Sequence, residues 1–291
     1  MGSAALLTLA FVSPAMADDG GASEAISAIR TIAPSVLNSV VNNASPGAAT
    51  GSLDVGGVTV NIPAEPSKGL RIGSEAPVTI GLPFSEDAGD ARATDGGIVT
   101  YDNGNASSTV PVVHNDGSTQ VLTVIDGRSA PTEYAYPVSL PAGARLVAQA
   151  GGAIIVDARG VTIGTFAAPW ARDAAGRSVA THYSVAGSTL TQVVEHRADG
   201  VTYPVVADPT YYLSTLYCSR SDVESMYKVI QNVNTFCKYV PLPYLYSVAC
   251  GAPPSLESAI TSAHYQKKRV KAVFHDCGFT YCNYYTYSVV S

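Results

Sequence analysis

The amino-acid sequence predicts a mainly β protein with antiparallel, sandwich-like sheets, a short N-terminal helix and a small C-terminal α+β unit stabilised by disulfides. Three observations lead to this fold class. Short runs that alternate apolar and polar residues recur between turn signals. Glycine and proline are abundant, at 26 and 18 of 291 residues. All five cysteines lie after position 209. Such a composition favours turn-rich β structure over a helical bundle.

Residues 1–17 are typical of a secretory signal peptide. An apolar run from Ala4 to Val12 leads to Ala15-Met16-Ala17, the small-x-small pattern of a signal-peptidase site. The run is far shorter than the roughly 20 residues needed to span a bilayer. We therefore expect cleavage after Ala17, a secreted protein that is extracellular or cell-wall associated, and no membrane span in the mature chain.

Residues 18–50 are predicted to form a helical segment followed by a linker. Apolar residues recur at helical spacing from Ser23 to Val41, and Ser23 can cap the helix start. Pro34 lies inside this stretch and is expected to kink or split the helix. The polar side carries almost no lysine or arginine, so the apolar stripe is expected to pack on protein and not on a membrane.

Residues 51–209 are predicted to form a β-rich module. No stretch of normal helix length interrupts its strands, which argues against a parallel α/β sheet. Trp170, the only tryptophan, is expected to fill the core between the sheets. The predicted strands are Val58–Ile62, Val78–Ile80, Gly97–Asp102, Thr109–His114, Thr119–Ile125, Glu133–Val138, Arg145–Ala148, Ala153–Asp157, Val161–Phe166, Thr181–Val185, Thr189–His196 and Val201–Val206.

Several phrases in this module form a recognisable set. They are Tyr101-Asp102-Asn103-Gly104-Asn105, Ala130-Pro131-Thr132-Glu133-Tyr134, Ala168-Pro169-Trp170-Ala171-Arg172-Asp173, Thr181-His182-Tyr183 and Tyr203-Pro204-Val205-Val206-Ala207-Asp208-Pro209. The set resembles a family of secreted Gram-positive bacterial proteins of unknown function. In that family a β-rich module ending in Tyr-Pro-Val-Val-x-Asp-Pro is followed by variable C-terminal segments. The resemblance covers about residues 51–210; it implies an exported β-rich carrier and no catalytic residues.

Residues 210–291 are predicted to form a separate cysteine-rich α+β unit. Ten basic and 19 acidic residues precede position 210, while seven basic and four acidic residues follow, so the net charge changes from −9 to +3. Ser221 and Glu224 have the spacing of a capping box, which predicts a helix start. A second helix is expected after Ser255, then strands at Arg269–Asp276 and Phe279–Val290.

The five cysteines are candidates for disulfides, because an exported protein enters an oxidising compartment. They are Cys218, Cys237, Cys250, Cys277 and Cys282. The odd number leaves one thiol over, and spacing does not fix the pairing. We favour a bridge between Cys277 and Cys282 across the predicted hairpin. Zinc binding and a catalytic cysteine are less favoured, because the residues around the cysteines match neither a zinc-binding motif nor a catalytic-cysteine motif.

Cations and tyrosines lie together near the C-terminal end, which predicts a contact surface. Its candidate residues are Lys267, Lys268, Lys271, Tyr281 and Tyr285. Cations beside exposed aromatic rings suit a polysaccharide or nucleic-acid contact. The alternative is a solvated charged turn that leads into an ordinary edge hairpin, with lysine preventing strand-to-strand association.

A catalytic reading of the same region is the alternative hypothesis. His264 and His275 could exchange protons while Lys267 and Arg269 hold a phosphate, which would make the C-terminal unit a metal-independent, nuclease-like toxin. The competing interpretation of His264 is a helix-end residue that caps the last carbonyls.

The chain contains no serine-hydrolase, metalloprotease or phosphate-loop motif. We therefore favour a binding or interaction protein without a cofactor or metal over an enzyme, and the toxin hypothesis stays open. The expected partners are cell-wall polysaccharide or another protein, with nucleic acid only under the toxin alternative.

Overall fold

The computed structural model describes residues 20–41, 50–55, 58–74, 76–94, 97–149, 151–218, 220–230, 254–275 and 284–291. Within these ranges the protein is mainly β, its strands pair antiparallel and its helices are few. The predicted fold class is confirmed at this level. The predicted signal peptide lies outside the described residues.

Two short helices open the described chain. Helix α1 spans Gly20–Ile32 and helix α2 spans Pro34–Leu37. Proline lacks an amide hydrogen, so it interrupts a helix but fits the first helical position, where Pro34 stands. The predicted split at Pro34 is confirmed.

The strands of the described residues are, in chain order, β1 Gly51–Val55, β2 Val58–Ile62, β3 Leu70–Ile72, β4 Val78–Ile80, β5 Arg92–Ala93, β6 Val99–Asp102, β7 Ser107–Val113, β8 Thr119–Ile125, β9 Glu133–Ser139, β10 Arg145–Gln149, β11 Gly152–Val156, β12 Thr162–Phe166, β13 Trp170–Arg172, β14 Thr181–Ala186, β15 Thr189–Val194, β16 Val205–Asp208, β17 Thr210–Leu213, β18 Thr215–Cys218, β19 Arg269–His275 and β20 Tyr284–Val290. A 3₁₀ turn, Pro66–Lys68, separates β2 from β3.

Two large sheets contain most of these strands. A seven-stranded sheet has the order β1-β2-β3-β4-β9-β15-β14. A ten-stranded sheet has the order β10-β11-β12-β17-β8-β7-β6-β5, with β16 also paired to β8 and β13 paired to β16. Strand β9 alternates strictly between exposed and buried residues, as expected for a strand with one face in the core and one in water.

Buried side chains from both sheets belong to one hydrophobic core. The seven-stranded sheet contributes Val60, Ile72, Ile80, Tyr134 and Tyr136, and the ten-stranded sheet contributes Val121, Ile125, Ile155, Phe166 and Val205. A hydrogen bond of 3.0 Å joins Thr123 Oγ1 of β8 to the Tyr136 hydroxyl of β9 inside this core. The two sheets are therefore linked by both apolar and polar contacts.

Helix α1 covers the other face of the ten-stranded sheet. Its buried stripe, Ala25, Ile26, Ile29 and Ile32, packs with Val110, Val112, Leu122, Val124 and Val206. Every residue of β8 is buried because both faces of that strand are covered. Trp170 is half-buried and packs with this helix-side cluster, so the sequence-based expectation that it fills the core between the sheets is wrong.

In the part of the C-terminal unit that the structure describes, three strands lie in the order β18-β19-β20, with helices α3 at Arg220–Val229 and α4 at Pro254–Gln266. Within the described residues the elements follow the predicted order of helix, helix, strand and strand, and β18 precedes them. Helix α3 begins at Arg220, so Ser221 lies in its first turn and not before it, as the capping box predicted. Val270 and Ala272 are buried with residues of both helices.

Strand β17 belongs to the ten-stranded sheet, although its composition resembles that of the C-terminal unit. It pairs with β12 through Tyr211 and Leu213 and with β8 through Thr210. The change of composition at position 209 therefore precedes the change of sheet, which comes after Leu213. Among the described helices, none combines the length and apolarity that crossing a membrane requires.

Candidate binding surface

Four side chains from α3 and α4 meet at one end of the C-terminal unit. His264 donates from Nδ1 to Glu224 Oε1 at 3.0 Å, and its ring stacks on Tyr227 with the centroids 3.8 Å apart and the planes at 6°. The hydroxyls of Tyr227 and Tyr265 lie 3.0 Å apart. We call Glu224, Tyr227, His264 and Tyr265 the helix-end cluster.

The turn after α4 brings two lysines beside this cluster. The Lys267 amide donates to the His264 carbonyl and the Lys268 amide to the Ala263 carbonyl, which is the hydrogen-bond pattern of a Schellman C-cap. Lys267 occupies the left-handed position with φ of 54°, where glycine is the usual residue. The chain reverses sharply there, and both lysine side chains remain exposed.

The helix-end cluster is accessible but held in place. Tyr265 is 72% exposed, whereas the His264 side chain is 26% exposed. The hydrogen bond to Tyr265 raises the pKa of Tyr227 above its ordinary value, and burial and the Glu224 charge add to this. Tyr227 is therefore a neutral phenol at physiological pH, able to keep its hydroxyl contact with Tyr265.

The predicted contact surface is divided by the fold. Lys267 and Lys268 lie together in the turn after α4. Lys271 lies on the opposite face of β19 from the buried Val270, because side chains alternate along a strand. Tyr285 pairs with Phe274 in the β19–β20 ladder, and Tyr281 lies outside the described residues. The structure adds Tyr265, Tyr227 and His264 to the two lysines.

The residues of the predicted catalytic group are spread along the unit. His264 and Lys267 are neighbours at the end of α4, while the Arg269 side chain donates to the Ser291 carbonyl. His275 ends β19, six residues beyond Arg269, which corresponds to about 20 Å of extended chain. The backbone therefore brings His264 and Lys267 together, and it places His275 at the far end of the strand.

Glu224 was missed as a partner of His264 by the sequence reasoning. Its position in the apparent capping box suggested that it would reach back to the start of α3, yet it bonds across to α4. Glu224 and Tyr227 are three residues apart and lie on the same side of the helix, which was the available signal. The partner helix could not be identified from spacing alone.

Of the cysteines, only Cys218 lies within the described residues, and it is buried at the end of β18, where it pairs with Val270. Cys237, Cys250, Cys277 and Cys282 lie outside the described residues. The disulfide pairing therefore stays a prediction.

A buried polar chain in the β module was also missed. Ser39 Oγ lies 2.8 Å from His114 Nδ1, and His114 Nε2 lies 3.1 Å from Gln120 Oε1. The Gln120 side-chain amide donates to Asp208 Oδ2 at 2.7 Å, and Thr210 also donates to that oxygen. Burial raises the pKa of Asp208 to about 6, against hydrogen bonds that lower it. This chain ties the end of the helical segment to the ten-stranded sheet.

His196, the second buried histidine of the module, is also held on both ring nitrogens. Its Nε2 lies 2.9 Å from the Pro131 carbonyl, so that nitrogen carries the proton and donates. Nδ1 lies 2.9 Å from the Tyr203 hydroxyl, which itself donates to the His196 backbone carbonyl. Burial lowers the pKa of His196, so the neutral ring is favoured. His196 therefore has a structural role in fixing the loops around Pro131 and Tyr203.

A groove of about 460 Å³ lies between α1 and two loops of the β module. Its lining includes Glu24, Ala28 and Asp126. Burial raises the pKa of Asp126, and the nearby charges of Glu24 and Asp102 raise it further. The groove is acidic and open. Nothing within the described residues groups three potential metal ligands, there or elsewhere.

Comparison with known proteins does not place the chain in a family. No protein-family model matches the chain, and no curated protein matches its sequence.

Proposed function

We propose that this chain is a secreted or cell-envelope-associated binding protein, in which a β-rich carrier presents the C-terminal unit as its recognition surface. The observation that carries the proposal is the pairing of the 72% exposed Tyr265 with two exposed lysines at the end of α4. A rigid tyrosine supplies contact area at a low cost in conformational entropy. Export is inferred from the signal-peptide pattern in residues 1–17.

The carrier is inferred to be a β-sandwich. The shared core of the two large sheets and the internal hydrogen bond between Thr123 and Tyr136 support face-to-face packing. The resemblance to secreted Gram-positive proteins is in keeping with an exported carrier, because it covers this module. Disulfides among the cysteines of residues 210–291 would stabilise a small unit in an oxidising compartment.

The proposed function is tested by retention on a washed cell-envelope fraction that contains both protein and glycan. Purified residues 18–291 are compared with Tyr265→Ala and with the double variant Lys267→Glu/Lys268→Glu. Lys68→Glu/Arg145→Glu is the charge-matched control, because both cations are exposed on the carrier. We expect retention of the parent and the control and loss in the other two. Equal retention of all four proteins would contradict the proposal.

One observation favours a second candidate function, a secreted effector with a metal-independent nuclease unit. The Glu224–His264 contact is the arrangement in which a carboxylate orients an imidazole for proton transfer. RNA cleavage by the full-length protein that is lost in His264→Ala would support this candidate. Absence of cleavage by the parent at high protein concentration would leave only the binding function.

A further inference from the structure

Tyr265 is exposed, and its ring is held in place by contacts with Tyr227 and His264. Its hydroxyl contacts that of Tyr227, and its ring lies edge-on to His264 with the centroids 5.2 Å apart at 71°. His264 is in turn held by Glu224 and by stacking on Tyr227. A side chain that is already ordered loses little rotamer freedom when a ligand binds. This support distinguishes Tyr265 from an isolated surface tyrosine.

Positive charge lies beside this ring. Lys267 and Lys268 follow it within three residues, and the C-cap turn fixes their backbone next to the end of α4. The carboxylate of the cluster, on Glu224, is engaged by His264. An exposed ring with two exposed lysines two and three residues further along the chain is complementary to a ligand that combines an apolar ring face with acidic groups.

We propose that the helix-end cluster and its two lysines bind an anionic polysaccharide. The Tyr265 ring packs against the face of one sugar, and Lys267 and Lys268 contact phosphate or carboxylate groups of the polymer. This inference rests on the proposed function and narrows it to one class of ligand.

Aromatic geometry favours a sugar over a run of nucleic-acid bases. Proteins that bind single strands offer several aromatic platforms along a basic groove. Among the residues whose side chains the structure describes, which do not include Tyr281, Tyr284 and Tyr285, Tyr265 is the exposed large hydrophobic residue. The second ring, Tyr227, is covered on one face by His264 and stands at 75° to Tyr265, so it does not continue the platform. One stacked ring with adjacent cations suits one sugar and its acidic substituent.

The experiment uses residues 18–291 and four probes in a co-sedimentation assay. The probes are Gram-positive sacculi with their phosphate-linked polymers, the same sacculi after acid removal of those polymers, insoluble polygalacturonate and bead-bound poly(U). We expect binding to intact sacculi or polygalacturonate, and none to stripped sacculi. Binding to intact sacculi alone identifies phosphate as the acidic group, and binding to polygalacturonate identifies carboxylate.

The variants separate this inference from its alternatives. We expect Tyr265→Ala to weaken binding about tenfold, and Lys267→Glu/Lys268→Glu to abolish it at physiological salt. The charge-matched Lys68→Glu/Arg145→Glu variant should bind as the parent does. Equal binding to stripped sacculi, or preference for poly(U), would overturn the inference. If neither acidic glycan is bound while the envelope fraction still retains the protein through Tyr265, the proposed function stands and the polysaccharide does not.

Discussion

The β module and the C-terminal unit use their polar residues in opposite ways. In the module, Asp208, His114 and His196 are buried, and their side chains bond to protein groups. In the C-terminal unit, Glu224, His264 and Tyr265 lie at the surface and form a partly exposed cluster. Buried polar groups whose hydrogen bonds are satisfied favour a single packing arrangement of the core. Exposed and ordered polar groups remain available to a binding partner. This difference is what the proposed function rests on, with the module as support and the unit as recognition surface.

The largest expected effect is on the stability of the module. Leu122→Ala removes a fully buried side chain between β8 and α1, and such truncations cost about 2–5 kcal/mol because a cavity remains. Tyr265→Ala should change the free energy of unfolding by less than about 1 kcal/mol, because the ring is exposed. Denaturant unfolding of both variants checks the contrast. A larger loss in Tyr265→Ala would contradict the assignment of the two regions.

The second effect is on pH dependence, through Asp208. Burial raises its folded-state pKa to about 6 from 3.8, so the folded protein retains a proton that the unfolded chain releases between pH 4 and 6. Stability contributed by Asp208 therefore falls by about 3 kcal/mol as pH rises through this window. Unfolding of the parent and of Asp208→Asn at pH 4 to 7 measures the difference. Parallel pH curves for the two proteins would show that Asp208 titrates normally.

A smaller loss is expected at the His196 site. Tyr203→Phe removes the hydroxyl that donates to the His196 carbonyl and contacts His196 Nδ1, and the loss of these partners costs about 1–3 kcal/mol. Thermal or denaturant unfolding checks this value. The control is Tyr211→Phe, a buried tyrosine of β17 whose hydroxyl has no hydrogen-bond partner among the described residues. Equal behaviour of the two variants would mean that the His196 contact contributes nothing specific.

The smallest stability effect is expected at Tyr227. Tyr227→Phe keeps the ring stacked on His264 and removes only the hydroxyl contact with Tyr265. We expect an unchanged unfolding midpoint, weaker binding and greater motion of the Tyr265 ring, measured by side-chain NMR relaxation. An unchanged ring order parameter would show that Tyr227 does not fix Tyr265.

Period-two alternation was sufficient to predict strands such as β9 and β15, because one face of each lies in the core. The prediction failed where a proline changes the hydrogen bonding of the strand or where the strand is very short. The strand predicted at Val201–Val206 is observed at Val205–Asp208, since Pro204 has no amide to donate and the Tyr203 hydroxyl bonds to His196. Strand β13 has three residues and is too short to show a period.

The candidate surface was predictable only in part. Lys267 and Lys268 were identified because charge is visible in the sequence. The position of Lys271 on the other face of β19, and the contact of Glu224 with His264, depend on how α3 and α4 pack on the sheet. Contacts between residues 40 positions apart are set by tertiary packing, and one sequence does not contain that information.

Hydrogen–deuterium exchange of the full-length protein, with and without the cell-envelope fraction, tests the division of roles most directly. We predict slower exchange on ligand addition in α3, in the last turn of α4 and at Lys267 and Lys268, with no change in the strands of the β module. Protection confined to the groove beside α1, or spread over the module while the end of α4 exchanges as before, would contradict the account.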